Sequence, residues 1–450
     1  MKRLWSVTVG VAGVLLSVGA WAQQGQPSAL TLPDSIRIAL QNSRTLRLVL
    51  QDERKANERV REAKGAGYPQ VNVLANYRRL DRVPKAKFPS FDPTTGTFTF
   101  NEIEIQPIDS GTATVSLSQV VDISGLVRTA TDAVSLYSRI ANLDVQRTRN
   151  EVVLQVKQAF YDVLRAQELV KVAEEALQNA QIRRKLAQAA VDAGVSPKLD
   201  VMRADAAVAA AQQAVITARN ALQMAKAAFN NVLGRRVDEP VELLPADEPV
   251  PEQVDFTQCL QEALSRRPEV VQAGLGVSLA EKQVTSARRD QLPNLVVTGQ
   301  WDFNLRTSTF QPRESSFTTI AALQFKIWDS GQTRGRVEQA RADVDKAKIA
   351  VENVREGIAL EVRNAYLSLQ EAREKVSAAE KGLQVASESL RVARVRYEAG
   401  VSTQLELSDA ELAYTQAEQN LINARYDLLV AWARLEKALG RYAQAQQVAG

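Results

Sequence analysis

Residues 362–400 read VRNAYLSLQEAREKVSAAEKGLQVASESLRVARVRYEAG. Val362, Ala365, Leu369, Ala372, Val376, Ala379, Leu383, Ala386, Leu390, Ala393 and Tyr397 recur at alternating steps of three and four. Only an α-helix places such a series on one side. The stripe extends back through Ala340, Val344, Ala347, Val351, Val354 and Ile358, where the mean spacing is nearer 3.7. A 3.5-residue repeat demands a left-handed supercoil, whereas the wider spacing leaves a helix almost straight. Gly400 breaks the pattern, and a second helical run follows from about Thr403 to Leu439. These spacings predict a helical hairpin with one arm roughly 100 Å long at ~1.5 Å per residue.

The hairpin has a copy upstream. Gly194-Val195-Ser196 recurs as Gly400-Val401-Ser402, a shift of 206 that also carries Gly125 to Gly331 and Leu233-Gly234 to Leu439-Gly440. The apolar stripe transfers too, with Ser138, Thr148 and Arg184 as its departures. Ahead of each hairpin a second correspondence holds at a shift of 224, taking Ala39-Leu40 to Ala263-Leu264 and Tyr68-Pro69 to Leu292-Pro293. Two repeats follow: 23–234, with a hairpin over 126–234, and 255–440, with a hairpin over 332–440. A linker at 235–254 separates them, and a tail at 441–450 follows. The first copy carries 18 extra residues between Pro69 and Gly125. They fall in the Pro-, Thr-, Gly- and Phe-rich piece around Asp81 to Ser110, which reads as a loop.

Between the helices the period changes to two. Strands are predicted over 70–80, 111–122, 294–304 and 316–328, each with one apolar and one polar face. About ten residues of such alternation match a membrane β-barrel strand, with Tyr77, Trp301, Phe325 and Trp328 suited to aromatic girdles. Four strands enclose nothing, and an open sheet edge does not survive in lipid. The membrane reading therefore requires several copies to share one barrel.

Composition narrows the function. The chain opens with Met1-Lys2-Arg3, an apolar run to Gly19 and Ala20-Trp21-Ala22, the pattern of a signal peptide over 1–22. No later run is long and apolar enough for a transmembrane helix. Histidine is absent and Cys259 is the single cysteine, which removes the commonest zinc, haem and acid–base arrangements. No cofactor is expected, and neither is an enzyme, since no acid cluster or phosphate loop stands outside the helix tips. A net charge of +4 spread over a heavily charged chain does not point to nucleic acid.

The tandem duplication, the order helix–strand–strand–long helix–short helix, the Tyr-Pro and Leu-Pro strand starts, the Gly-Val-Ser tips and Ala424 to Leu429 followed by Ala438-Leu439-Gly440 together resemble the TolC-like outer-membrane efflux proteins. The resemblance implies a homotrimer in outer-membrane lipid. Its fold would be mainly α with membrane β: a periplasmic α-barrel of long antiparallel hairpins below a twelve-stranded β-barrel, with 235–254 and the tail in an equatorial belt. It also implies partners, namely a periplasmic adaptor and an inner-membrane pump of RND, ABC or MFS type, for export of drugs, small toxic compounds or proteins.

The resemblance further implies a gate at the hairpin tips. Glu406 and Asp409 match acids that line the closed periplasmic end, although Thr403-x-x-Glu406 also reads as a capping box. Tyr397 matches a tyrosine that holds the aperture shut, and equally ends the apolar stripe. Asp200 matches the acid of the first hairpin used in closure, and equally offsets a helix dipole beside Ser196-Pro197, read as N-cap and N1. Better-known members carry an arginine where this chain has Ser402. Arg203, related to Asp409 by the 206 shift, is therefore a candidate substitute, giving an Arg203–Asp409 or Asp200–Tyr397 latch. The tips Gly194, Val195, Ser196, Gly400, Val401 and Ser402 are the expected adaptor contacts. The competing reading is a periplasmic adaptor or coiled-coil scaffold without a barrel, which would normally have one hairpin and no four alternating strands.

Overall fold

A computed structural model describes residues 29–245, 248–305 and 313–443. The expected signal peptide and the tail from 444 onward lie outside the described residues. In chain order the elements are α1 (Leu32–Asn42), α2 (Arg44–Gly65), β1 (Gln70–Arg79), β2 (Lys85–Asp92), β3 (Thr97–Glu104), β4 (Asp109–Val121), α3 (Leu126–Asp192), α4 (Lys198–Leu233), α5 (Phe256–Arg266), α6 (Pro268–Arg289), β5 (Asn294–Asn304), β6 (Ser315–Gln324), α7 (Gln332–Glu398) and α8 (Gln404–Ala438). A 3-10 turn, Arg441–Ala443, follows. Helices α3 and α7 are 67 residues each, about 100 Å at ~1.5 Å per residue.

The sheet runs β1-β4-β5-β6, every neighbour antiparallel. The helices pack in the same order: α2 on α3, α3 on α6, α6 on α7. Further down the series is α4 on α3, α3 on α8, α8 on α7. Each strand is thus continued by its own helix, and sheet and helical layer form one wall a single element thick. Such a wall buries side chains along its seams, so a true core appears where a third element is laid on it. That place is the equator, where α1 and α5 cover the long helices. One cluster holds Ala39, Val152, Val156, Val163, Phe229 and Leu233; its repeat mate holds Ala263, Ile358, Val362, Leu369, Leu435 and Leu439. The pairing follows the 206 and 224 shifts residue by residue. Phe160, its ring 6.1 Å from that of Phe229, and Tyr161 are fully buried in the first cluster.

Two expectations change. The segment read as a loop is a β-hairpin: β2 pairs with β3 from Lys85↔Glu104 to Asp92↔Thr97. It extends the β1–β4 ladder through Leu80 N–H to Ile108 O (2.8 Å) and Ile105 N–H to Pro84 O (2.9 Å). Pro89 hid the strand, yet a two-stranded ribbon tolerates proline where no ladder donor is needed, and the Phe91 and Phe98 rings meet across it at 5.2 Å. The last strand also ends at Gln324, not at 328. Lys326 reaches back 2.7 Å to Asp290, the residue that caps the end of α6. Asp329 then accepts N–H bonds from Gly331 (3.1 Å) and Thr333 (2.9 Å), starting α7. Phe325, Ile327 and Trp328 lie beyond the ladder and are exposed.

Candidate gate and channel lining

Strand register sorts the side chains into two faces. The row Val73↔Val115↔Trp301↔Phe317 and the row Val71↔Leu117↔Gly299↔Thr319 carry odd-numbered residues across all four strands. Ala75, Tyr77, Ala113, Leu295, Val297, Phe303 and Leu323 share that face, and Trp301 stacks on Phe303 at 5.1 Å. The even face carries Asn72, Asn76, Thr112, Thr114, Ser116, Thr298, Gln300, Asp302 and Thr318, with Leu74, Val296 and Ile320 interspersed among them. There Thr114 donates to Asp302 at 2.6 Å and Gln300 donates to it at 2.9 Å. One face suits hydrocarbon and the other water, as a membrane barrel wall requires. Among the described residues β1 and β6 have one partner strand each. With four alternating strands per copy, the β6 of one copy runs antiparallel to the β1 of the next. Identical copies can therefore close the barrel without breaking the pattern.

At the far end of the wall both hairpins turn alike. Gly194 (φ 75°) and Gly400 (φ 71°) occupy the left-handed region, which a residue with a Cβ enters at a cost. Val195 N–H bonds Ala190 O (2.9 Å) and Val401 N–H bonds Arg396 O (3.0 Å), the Schellman closure of α3 and α7. Val195 and Val401 project into solvent, 80% and 67% exposed. The tips share a further contact: Ser196 Oγ donates to Asp200 at 2.5 Å, and Ser402 Oγ donates to Glu406 at 2.8 Å. The pairs are related by the 206 shift.

These contacts revise the expected roles. Pro197, not Ser196, occupies the cap position of α4, and the Ser196 hydroxyl is turned to Asp200. Thr403 does cap α8, accepting from Glu406 N–H at 3.3 Å. The Glu406 carboxylate does not complete the box; it takes Ser402 and lies 3.7 Å from Arg396. Arg203 approaches Asp200 at 4.0 Å, three residues away on its own helix. Within one chain, and among the described residues, neither the Arg203–Asp409 nor the Asp200–Tyr397 latch is formed. Arg203 nevertheless lines a groove of about 250 Å³ between the hairpins, with Arg183, Ala204, Gln404, Leu405 and Ser408. Asp409 is exposed, with no hydrogen bond or ion pair among the described residues of its own chain. Tyr397 is 37% exposed.

The polar links between the hairpins involve residues outside that set. Arg183 of α3 and Glu411 of α8 form an ion pair, both largely shielded, and burial pulls the Arg183 guanidinium below its ordinary value. Higher up, Tyr426 donates to Glu168 (2.8 Å) and Arg165 to Asp427 (3.1 Å). At the equator Lys157 meets Glu248 of the linker (3.0 Å) and Glu436 (2.8 Å). Tyr161 donates to Glu248 (2.7 Å) and Tyr442 to Ala433 O (2.7 Å). Burial first, and these carboxylates second, push both tyrosines far above the ordinary phenol range. The linker also joins the first repeat through a parallel bridge, Leu30↔Leu243. A signal for the seam was present: Glu168 and Glu175, and Glu411 and Glu418, stand at heptad spacing beside the apolar stripe, where coiled coils place partner-selecting charges.

A wall with a lipid-facing sheet, a polar lining and open edges in matching order defines an outer-membrane channel subunit. The profile of the family described as outer membrane efflux protein matches residues 35–235 and 259–441; the chain belongs to that family. Outer membrane protein TolC of Escherichia coli (strain K12) is 24% identical over 461 residues, covering 98% of this chain and 87% of that one. Alkaline protease secretion protein AprF of Pseudomonas aeruginosa is 25% identical, covering 97% and 88%. A crystal structure of a membrane protein from Pseudomonas aeruginosa superposes with a TM-score of 0.74 at 21% identity, over 91% of this chain and 90% of that one. This protein is thus an outer-membrane efflux channel, built from long helical hairpins and β-barrel strands.

Proposed function

We propose that three copies assemble into one duct, with a twelve-stranded barrel in the outer membrane above a twelve-helix periplasmic tunnel. It serves as the exit path of a tripartite efflux pump or a type I secretion system. The observation that carries this reading is the matched order of strands and helices, open at the same two edges. A closed ring satisfies both layers at once, and four strands per copy keep every junction antiparallel. The similarity to AprF, an alkaline protease secretion protein, supports a secretion role beside drug export; the inner-membrane pump selects the cargo. The exposed Gly-Val-Ser tips are the adaptor contacts, and Asp409 with Glu406 of each copy lines the periplasmic aperture. A scaffold without a barrel has no use for a sheet with one apolar and one polar face.

Outer-membrane fractions give the test. The duct reading expects a heat-modifiable trimer and discrete cation-selective conductance in planar bilayers. A soluble species without conductance overturns it.

A further inference from the structure

The contacts between α3 and α8 form a ladder of polar rungs down the seam between the two hairpins. From the equator to the tips they are Lys157–Glu436, Arg165–Asp427, Glu168–Tyr426 and Arg183–Glu411. The two helices are antiparallel, so steps down one are matched by equal steps on the other. Seven residues past Glu168 stands Glu175, and seven past Glu411 stands Glu418. Their shared height lies between the last two rungs. Every other rung joins a donor to a carboxylate; this one opposes two carboxylates. Burial, and then the charge of Glu175, hold the half-buried Glu418 carboxyl above its ordinary value. Both glutamates also raise the phenol of Tyr414, one turn away, after its burial.

Among the described residues no ion pair quenches this rung: Lys171, one turn before the exposed Glu175 on α3, makes none with it, and Arg391 of α7 is taken by Glu388 at 2.6 Å. On α3 the adjacent Glu174 is held by Arg219 of α4 at 2.7 Å. On α7, Glu380 pairs with Arg425 at 3.6 Å. Lys381 lines a different groove, with Ala413, Gln416, Ala417 and Asn420 on another side of α8.

We propose that the Glu175–Glu418 rung is an acid-responsive latch between the hairpins, repelling while both carboxylates are ionised and closing the seam when the pair takes up a proton. Glu418 is favoured neutral in the closed seam, so the closing contribution is present in acid and is lost as pH rises through its elevated value. The latch rests on the gate reading above only for its consequence: a tight α3–α8 seam holds the tip end narrow.

The test measures the seam without current. Nitroxides at Leu186→Cys of α3 and Leu412→Cys of α8, both exposed positions, are placed in a Cys259→Ser background in spin-diluted trimers. Their distance distribution is recorded at a series of pH values running from neutral into acid. The expected result is a shift to shorter distances in acid. Glu418→Gln should abolish the shift and hold the short distance throughout, and Glu175→Lys should do the same by completing the ladder. A wild-type distance indifferent to pH, or a shift that survives in Glu418→Gln, overturns the latch. Conductance is read on the same samples. A pH-dependent distance with unaltered conductance supports the latch and counts against a gate at the tips, so the two failures are separable.

Discussion

Lys157 Nζ lies 2.8 Å from the Glu436 carboxylate, tying the first hairpin to the second where the wall is thickest. The ammonium is 7% exposed, also contacts both oxygens of Glu248 at 3.0 Å and sits over the Tyr442 ring at 5.1 Å. One buried cation therefore serves helix, linker and tail. Removing it leaves two shielded carboxylates facing each other, the costly half of a broken buried pair, about 3–5 kcal/mol. Lys157→Met is expected to lower the thermal midpoint of the trimer sharply. Adding Glu248→Gln and Glu436→Gln to that variant should recover most of the loss. If Lys157→Met alone is as stable as wild type, the belt is not held this way.

A second equatorial network responds to acid in the opposite sense from the Glu418 rung. Arg267, 6% exposed, reaches Glu269 at 2.8 Å and Glu361, which also accepts from Lys437 at 2.8 Å. Burial alone would raise both carboxyls, but the Arg267 and Lys437 hydrogen bonds outweigh it and hold them below the ordinary 4.5. A depressed carboxyl contributes stability that is complete above its unfolded value and is lost as pH falls through the folded one. Unfolding free energy should therefore drop below about pH 4.5, and Glu361→Gln should flatten that part of the profile while lowering stability at neutral pH. Chemical denaturation at several pH values measures both; an unchanged acid slope in Glu361→Gln would contradict the assignment.

The register divides the residues of β1, β4, β5 and β6 between two faces, and neighbouring positions test which face meets lipid. Val73 sits in the apolar row with Val115, Trp301 and Phe317, while Asn72 pairs with Ser116 on the other face. Val73→Arg near the middle of β1 should cost about 2–4 kcal/mol and deplete heat-modifiable trimer. Asn72→Arg should assemble normally and shift ion selectivity. Equal damage from both would mean that the faces are not divided between lipid and channel.

The repeat, the hairpins and four of the six strands were legible because period and shift are properties of the chain itself. The stripe from Ala340 to Tyr397 could form nothing but a helix, and its match 206 residues upstream doubled the conclusion. The β2–β3 hairpin was hidden by Pro89 and the turn at Gly96, residues that signal loops unless a partner strand is known. The alternation overruns strand β6, since Phe325 and Ile327 continue it after Lys326 has turned to Asp290. At the tips the residue positions were readable but their partners were not. Whether Arg203 meets Asp409 or Asp200 depends on how one helix is rotated against another. The Arg183–Glu411 rung depends on the same rotation, and in the sequence its neighbour Arg184 reads only as a break in the stripe.

That rotation also separates the two tip acids. Glu406 is occupied locally: its N–H is capped by Thr403, and its carboxylate takes Ser402 and faces Arg396. An acid in the first turn of a helix is worth about 0.3–1 kcal/mol, so Glu406→Ala should loosen the second tip by that order, with little effect on which ions pass. Asp409 is a turn further in, exposed and without such partners in its own chain, so its charge is available to the aperture. Asp409→Ala should leave tip stability unchanged and weaken cation selectivity. Reversal potentials across a salt gradient, paired with hydrogen exchange at the Gly400 turn, read the two effects independently. If selectivity falls with Glu406→Ala and not with Asp409→Ala, the ring of the aperture belongs to Glu406 and the capping contacts are its support.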